Sequence, residues 1–172
     1  MSQEEHKAIA RRFREDLWNT GDLDLVGRLF DRGCVVHARV PLTTDFTRGP
    51  DAVGQLVLFY RIAFSDLRMT IEAVVAEGDL VVTRWSGRGR HTGDLLGLPP
   101  TGRETFTTGM DMLRIRDGKI VEGWVSWDVL GLIEQLAAPA ASLLPAGAAA
   151  VGEPEPGSGF LSLLERLRSS AF

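Results

Sequence analysis

The stretch 104–128, ETFTTGMDMLRIRDGKIVEGWVSWD, constrains the fold more than any other part of the chain. It contains two runs of alternating apolar and polar residues, separated by Asp117 and Gly118. Asp-Gly between two such runs is a strong signal for a β-hairpin, because glycine adopts the positive φ that a tight turn needs. We therefore predict two long antiparallel strands joined by a turn at residues 116–119.

The side chains of a strand alternate between its two faces. On the first strand of the hairpin this alternation puts Gly109 and Asp111 on one face, among small and apolar neighbours. On the second strand Val125 and Trp127 share a face. One carboxylate on a curved face of small and apolar residues predicts a pocket with an acid in its wall.

The elements before the hairpin are mainly helical. Apolar residues every four positions, with a capping box at Ser2 and Glu5, predict a helix over 2–20. A short helix through Phe30, a strand at 34–40 and a helix from Gly49 to about Ser65 should follow. The core-facing residues predicted for this third helix are Val53, Leu56, Phe59, Ile62 and Phe64.

Two further strands, joined around residues 77–79, precede the hairpin, and a helix over 129–137 follows it. This order predicts an α+β fold in which a cone-shaped, curved antiparallel sheet packs on N-terminal helices. We assign residues 1–137 to this domain and the Ala/Pro/Gly-rich residues 138–159 to a linker. An apolar stripe in residues 160–172 predicts a C-terminal amphipathic helix that docks on the domain or on a partner subunit.

Composition excludes several classes of function. A net charge of −4 argues against a nucleic-acid-binding surface. The chain has no apolar run suited to a membrane span or a secretory signal, and its single cysteine, Cys34, fits a reducing compartment. We expect a cytoplasmic protein. No phosphate-binding loop and no metal-ligand spacing occurs, so we expect neither a cofactor nor a metal site.

The cavity of such a cone is the expected site. An apolar wall desolvates a carboxylate and raises its pKa, which suits a group that takes and returns a proton near neutral pH. The predicted catalytic residues are Asp111, His37 and Asp128. The predicted substrate-binding residues are Trp18, Trp85, His91, Gly109, Val125 and Trp127.

Each of these assignments has a structural alternative. Asp111 would be structural if it paired with His37, with His91 or with an arginine. His91 lies where a strand gives way to a loop and could face solvent instead of ligand. The tryptophans are more often core or interface residues than substrate platforms.

Several segments together resemble the SnoaL-like polyketide cyclase family, within the superfamily of nuclear transport factor 2 and ketosteroid isomerase. They are FREDLWNTGDLDLVGRLF near the start, GPDAVGQLV and the run from FSDLRMT through HTGDLLGLPPTGRE in the middle, and MDMLRIRDGKIVEGWVSWDVLGLIEQL at the end. The resemblance covers roughly residues 4–137. Its most specific parts are HTGDLLGLPPTG and LRIRDGKIVEGW.

This resemblance implies an α+β cone, commonly dimeric through the outer face of its sheet, that binds an apolar small molecule. It also implies a cofactor-free intramolecular aldol closure of a polyketide ester, with an acid on the final strand as general acid/base. At that position this chain has Val125, and Asp111 stands where those enzymes have a histidine on the preceding strand. The acid has moved across the hairpin, or the activity differs.

Three hypotheses remain from the sequence. The first is a cofactor-independent cyclase or isomerase of secondary metabolism, such as antibiotic biosynthesis, with Asp111 as the proton-transfer group. The second is an epoxide hydrolase or dehydratase, which needs a network of carboxylates or Asp-His-Tyr groups, whereas the one tyrosine, Tyr60, is on a helix. The third is a non-catalytic small-molecule-binding protein. In each case we expect a homodimer through an outer sheet face containing Met110, Met112, Ile120 and Trp124.

Overall fold

A computed structural model describes residues 2–38 and 46–137, with backbone only at Phe46. Five helices and six strands are found in this part of the chain. The helices are α1 Gln3–Arg11, α2 Trp18–Thr20, α3 Asp24–Leu29, α4 Gly49–Ala63 and α5 Val129–Ala137, and a π-helical segment, Arg12–Leu17, joins α1 to α2. The strands are β1 Phe30–Ala38, β2 Phe46–Arg48, β3 Phe64–Glu77, β4 Leu80–His91, β5 Glu104–Arg116 and β6 Lys119–Trp127.

The six strands form one sheet in the order β2-β1-β6-β5-β4-β3. Strands β3 to β6 make the predicted antiparallel meander, and β1 lies parallel to β6 because α4 and the meander intervene between the two in sequence. In sequence α1 to α3 precede the strands, α4 lies between β2 and β3, and α5 follows β6. The α+β prediction is confirmed, whereas the predicted linker at 138–159 and helix at 160–172 lie outside the described residues.

The hairpin of β5 and β6 turns at the predicted place. Asp117 and Gly118 both have positive φ, 48° and 76°, as a two-residue turn of the primed type requires. The predicted face of Ile120 is wrong, because the pairing register shifts between Arg114 and Ile115 and turns Ile120 inward. Ile120 is fully buried and belongs to the core.

Two further boundaries and one orientation differ from the sequence predictions. The first strand begins at Phe30 instead of Cys34, and Phe46–Arg48 pairs with it as β2. The third predicted helix ends at Ala63, and Phe64, predicted to lie on it, begins β3. On α4 the buried positions Val53 and Val57 are one helical turn apart. Ile62 projects from the other side of this helix and is 64 % exposed, so its predicted place in the core is wrong.

The N-terminal helix packs its apolar stripe against the sheet. Ser2 Oγ accepts a hydrogen bond from the Glu5 backbone N–H, and Ser2 N–H donates to the Glu5 carboxylate, which confirms the capping box. Asn19 donates to the carbonyl of Met69 and accepts from its N–H, which fixes the end of the helix on β3. No helix within residues 2–38 and 46–137 is long and apolar enough to cross a membrane.

Candidate active site

A cavity lies between the inner face of the sheet and the N-terminal helices. Its empty volume, including the open mouth, is about 910 Å³. Most of its wall is apolar, formed by side chains such as Phe13, Val53, Leu56, Phe64, Met69 and Leu132. The polar lining is formed by Arg14, Thr47, Tyr60, Arg88, Thr105 and Thr107. An apolar wall with a few polar groups is the usual character of a small-molecule site.

The most buried polar feature at this cavity is an ion pair between Arg14 and Asp111. Arg14 Nε donates to Asp111 Oδ2 at 2.8 Å, and Nη2 donates to both carboxylate oxygens at 2.5 Å. Thr83 Oγ1 is 3.3 Å from Oδ2 and donates to it. Arg14 and Asp111 are 2 % and 1 % exposed. Arg14 lines the cavity, and Asp111 lies behind it as its anchor.

The Arg14 guanidinium is also packed among aromatic rings. Its Cζ lies 4.4 Å from the ring centroid of Trp85, 5.2 Å from that of Trp18 and 4.8 Å from that of Phe13. These rings stabilise a desolvated cation through their π faces. The aromatic packing and the carboxylate together hold the guanidinium in one orientation at the cavity wall.

Sequence reasoning missed Arg14, although a signal for it was present. Ala10, Phe13, Leu17 and Trp18 form one buried helical stripe, and Arg14 lies within that stripe instead of on the polar side of the helix. A charged side chain at a core position needs a partner of opposite charge. The lone inward acid predicted on β5 is this partner, 97 residues away in sequence.

Both indole nitrogens beside Arg14 lack a hydrogen bond. Trp18 and Trp85 line the cavity, and Nε1 of each is buried without an acceptor among the described residues. Gly109 makes room for this arrangement, because a Cβ there would collide with the Trp85 ring and would lie 2.7 Å from Cβ of Trp127. Gly109 therefore shapes the cavity from beneath Trp85.

Tyr60 presents a phenol to the same cavity. Its ring contacts Trp127 edge to face at 5.8 Å between centroids and Trp18 at 6.0 Å. Burial raises the pKa of Tyr60 to about 12, so the hydroxyl stays protonated at neutral pH. Val125 and Trp127 also line the cavity, from the last strand. Four of the predicted substrate-binding side chains thus share one wall with Tyr60: Trp18, Trp85, Val125 and Trp127.

His37 lies on the other face of the sheet. Its neighbours in β1, Val36 and Ala38, line the cavity, so alternation directs His37 outward. There its Nε2 is 3.1 Å from a carboxylate oxygen of Glu122, and its ring stacks on Trp124 at 5.5 Å between centroids. The structure therefore does not bring His37 to Asp111 within the cavity.

His91 is buried beside the loop that follows β4. The Thr101 backbone N–H donates to its Nδ1 at 3.2 Å, which leaves the proton on Nε2 in the neutral ring. Nε2 is buried without a partner among the described residues. Burial lowers the pKa of His91. The ring packs on Phe64, which lines the cavity, so His91 supports the cavity wall from behind.

Asp128 caps the last helix. Its Oδ1 accepts a hydrogen bond from the Gly131 N–H at 2.8 Å, in the first turn of α5. Its backbone N–H donates to the Thr108 carbonyl at 3.0 Å, which fixes the helix to β5. Asp128 is exposed and is not among the residues that line the cavity. Within the described ranges no cluster of three His, Cys, Asp or Glu side chains could hold a metal ion.

Similarity to known proteins shows the family to which this chain belongs. Aklanonic acid methyl ester cyclase DnrD of Streptomyces peucetius is 37% identical over 93 residues, which cover 54% of this chain and 64% of that protein. The chain therefore spans less than two thirds of that relative's length. Aklanonic acid methyl ester cyclase AcmA of Streptomyces galilaeus is 32% identical over 140 residues, 78% of this chain and 92% of that protein.

Solved structures agree with these sequence matches. The crystal structure of wild-type IdmH from Streptomyces antibioticus superposes with a TM-score of 0.67 at 30% identity, and covers 77% of this chain and 99% of that one. The family model for SnoaL-like polyketide cyclase matches residues 8–136, which include the end of α1 and all six described strands. The chain therefore belongs to the SnoaL-like polyketide cyclase family.

Proposed function

We propose that this protein is a cofactor-independent cyclase that closes a ring in an aromatic polyketide-like ester held in the cavity. Two relatives that support the proposal carry the name aklanonic acid methyl ester cyclase. An intramolecular aldol closure forms one carbon–carbon bond: a proton leaves the attacking carbon and a proton arrives on the former carbonyl oxygen. The product is an isomer of the substrate, so the reaction needs no redox partner.

The single observation that carries the proposal is the Arg14–Asp111 pair at the wall of an otherwise apolar cavity. Apolar walls hold a flexible chain in a reactive conformation, which alone lowers the barrier by several kcal/mol. Arg14 stabilises negative charge on the enolate or the carbonyl oxygen. Asp111 holds this guanidinium through hydrogen bonds to both of its carboxylate oxygens, and it is the acid to which we assign the proton transfer.

Val125 does not prevent this role. It lines the cavity and faces Asp111 across the β5–β6 pairing, so the two hairpin positions are direct neighbours. Among the cavity-lining residues of the described structure none is a carboxylate. Asp111 is connected to that lining by its hydrogen bonds with Arg14.

The test is conversion of aklanonic acid methyl ester, the compound named for the relatives, by the purified protein. Chromatography with mass detection should show a new product of unchanged mass. Asp111→Asn preserves the side-chain shape and removes the titrating proton, and we expect turnover to fall about 100-fold or more. Asp79→Asn, on the hairpin turn between β3 and β4 beside Arg116, is the matched control and should retain wild-type turnover.

A binding role without turnover is the second candidate, and one observation favours it. Asp111 is held by Arg14 and Thr83 and is not among the residues that line the cavity, so its carboxylate does not face a ligand directly. Tight ligand binding with no isomer formed from any polyketide ester would establish this role. If the Asp111→Asn variant turned over the substrate at the wild-type rate, the protein would still be a cyclase, but the role assigned to Asp111 would be refuted.

A further inference from the structure

Hydrogen-bond donors without acceptors are concentrated around Arg14. Nε and Nη2 of this guanidinium are bonded to Asp111, whereas Nη1 has no hydrogen bond within the described structure and is not fully buried. Because Arg14 lines the cavity, Nη1 is the nitrogen available to a ligand. Its two N–H groups are charge-assisted donors, which are about twice as strong as neutral ones.

The neighbouring indoles contribute the same chemistry. Trp18 and Trp85 are 8 % and 3 % exposed, and the buried Nε1–H of each lacks an acceptor among the described residues. A buried donor without a partner is costly, and native proteins keep few of them. An indole N–H cannot accept a hydrogen bond, so only an acceptor supplied by a ligand or water satisfies these groups.

The rest of the lining offers nothing that would favour a cation. The cavity-lining residues of the described ranges include no carboxylate and no histidine. The Tyr60 hydroxyl stays protonated and has no hydrogen-bond partner among these residues, so it is a further donor. The one carboxylate at this wall, Asp111, lies behind the guanidinium. The positive end of the ion pair is therefore the end presented to the ligand.

We propose that Arg14 Nη1 and the indole N–H groups of Trp18 and Trp85 form an oxyanion site that binds a phenol or enol of the ligand in its deprotonated form. The inference rests on the proposed function for the class of ligand, a planar polyketide with acidic hydroxyls. It extends that function by assigning a specificity role to two tryptophans whose buried N–H groups lack an acceptor. The flat rings of the ligand would lie against the apolar wall.

The test is a spectroscopic titration and requires no turnover. The probe is 2-hydroxyanthraquinone, whose absorption band moves to longer wavelength when its phenol ionises. We expect saturating protein to favour the anion about tenfold or more, read as a fall of about one in the pKa of the bound phenol. The neutral control, 2-methoxyanthraquinone, reports binding to the apolar wall alone.

Variants distinguish binding of the anion at the oxyanion site from packing of the probe against the apolar wall. Trp85→Phe keeps an aromatic ring and removes one N–H, so the preference for the anion should fall at least threefold while 2-methoxyanthraquinone binds within twofold of wild type. Arg14→Met should abolish the preference. Arg28→Met, the same change at an exposed arginine that does not line the cavity, should leave the preference within twofold because an exposed charge away from the ligand is screened by solvent.

Three outcomes would overturn the inference. They are no binding of the probe, a bound phenol that ionises no more readily than the free one, and a shift that survives both Trp85→Phe and Trp18→Phe. If Arg14→Met does not fold, the two tryptophan variants alone decide the result. If the protein preferred the anion of the probe but closed no ring in a polyketide ester, the proposed cyclase activity would be refuted and the proposed oxyanion site would be supported.

Discussion

The Arg14–Asp111 pair should be strongly coupled energetically, and a double-mutant cycle measures this coupling. The variants are Arg14→Met, Asp111→Leu and the double variant. Each single change leaves one buried charge without its partner, in a site where the two residues are 2 % and 1 % exposed. Removal of one member of such a pair typically lowers the free energy of unfolding by about 3–5 kcal/mol.

The double variant should behave differently. Replacing both members of a buried pair with apolar residues of similar volume is often neutral or stabilising. Here Thr83 loses its carboxylate acceptor, and an unsatisfied buried hydroxyl costs about 1–3 kcal/mol. We therefore expect the double variant to lose only about 1–3 kcal/mol, well below the sum of the single losses. The coupling free energy should be about 3 kcal/mol or more.

The assay is urea unfolding monitored by tryptophan fluorescence and by circular dichroism, at matched ionic strength. Coincident transitions with the two probes would justify a two-state treatment. A matched surface cycle at Arg90 and Glu104, an exposed pair 2.5 Å apart, should give a coupling of at most about 1 kcal/mol. Single losses below about 1 kcal/mol that simply add would refute the account of the buried pair.

Three further predictions follow from other parts of the fold. Gly109→Ala should reduce the affinity for 2-methoxyanthraquinone at least tenfold and destabilise the protein by about 1–3 kcal/mol, because the added methyl group displaces Trp85. An unchanged affinity, measured by calorimetry, would contradict this. We predict a homodimer through the outer sheet face with Met110 and Trp124, so light scattering should give a dimer mass that Met110→Glu reduces, and a monomeric wild type would refute it. The lowered pKa of His91 means that the unfolded chain binds more protons than the folded protein, so the free energy of unfolding should fall as pH drops below about 6.5. Urea titrations at pH 7.5 and pH 5.5 should show a smaller fall for the His91→Gln variant than for the wild type. An equal fall in both proteins would exclude His91 as its source.

Local features of the sequence predicted the hairpin well. Asp117 and Gly118 specify the turn, and strict alternation specifies which side of β5 faces inward. Alternation fails at Ile120, because a shift of register in the strand pairing reverses the face of every residue on one side of it. Such a shift depends on the neighbouring strands, so the alternation within one strand did not reveal it.

The candidate site could be predicted only in part. Asp111 was identified because an acid at an inward strand position is unusual, but its partner Arg14 comes from a distant helix and required the three-dimensional packing to identify. Val36 lines the cavity, so the alternation of side chains along β1 was sufficient to predict that His37 lies on the outer face of the sheet. Asp128 caps α5 because it directly precedes the first residue of this helix. The prediction of a catalytic role for Asp128 considered its residue type and not this position.

The most direct measurement is a crystal structure of the Asp111→Asn protein with aklanonic acid methyl ester or its cyclised product bound. We predict a ligand oxygen within about 3.2 Å of Arg14 Nη1, and the flat ring system against Trp85. We also predict that the reacting carbons lie on the side of the cavity that contains Arg14. A ligand on the outer face beside His37, or one in the cavity with no oxygen near Arg14, would contradict the central claim.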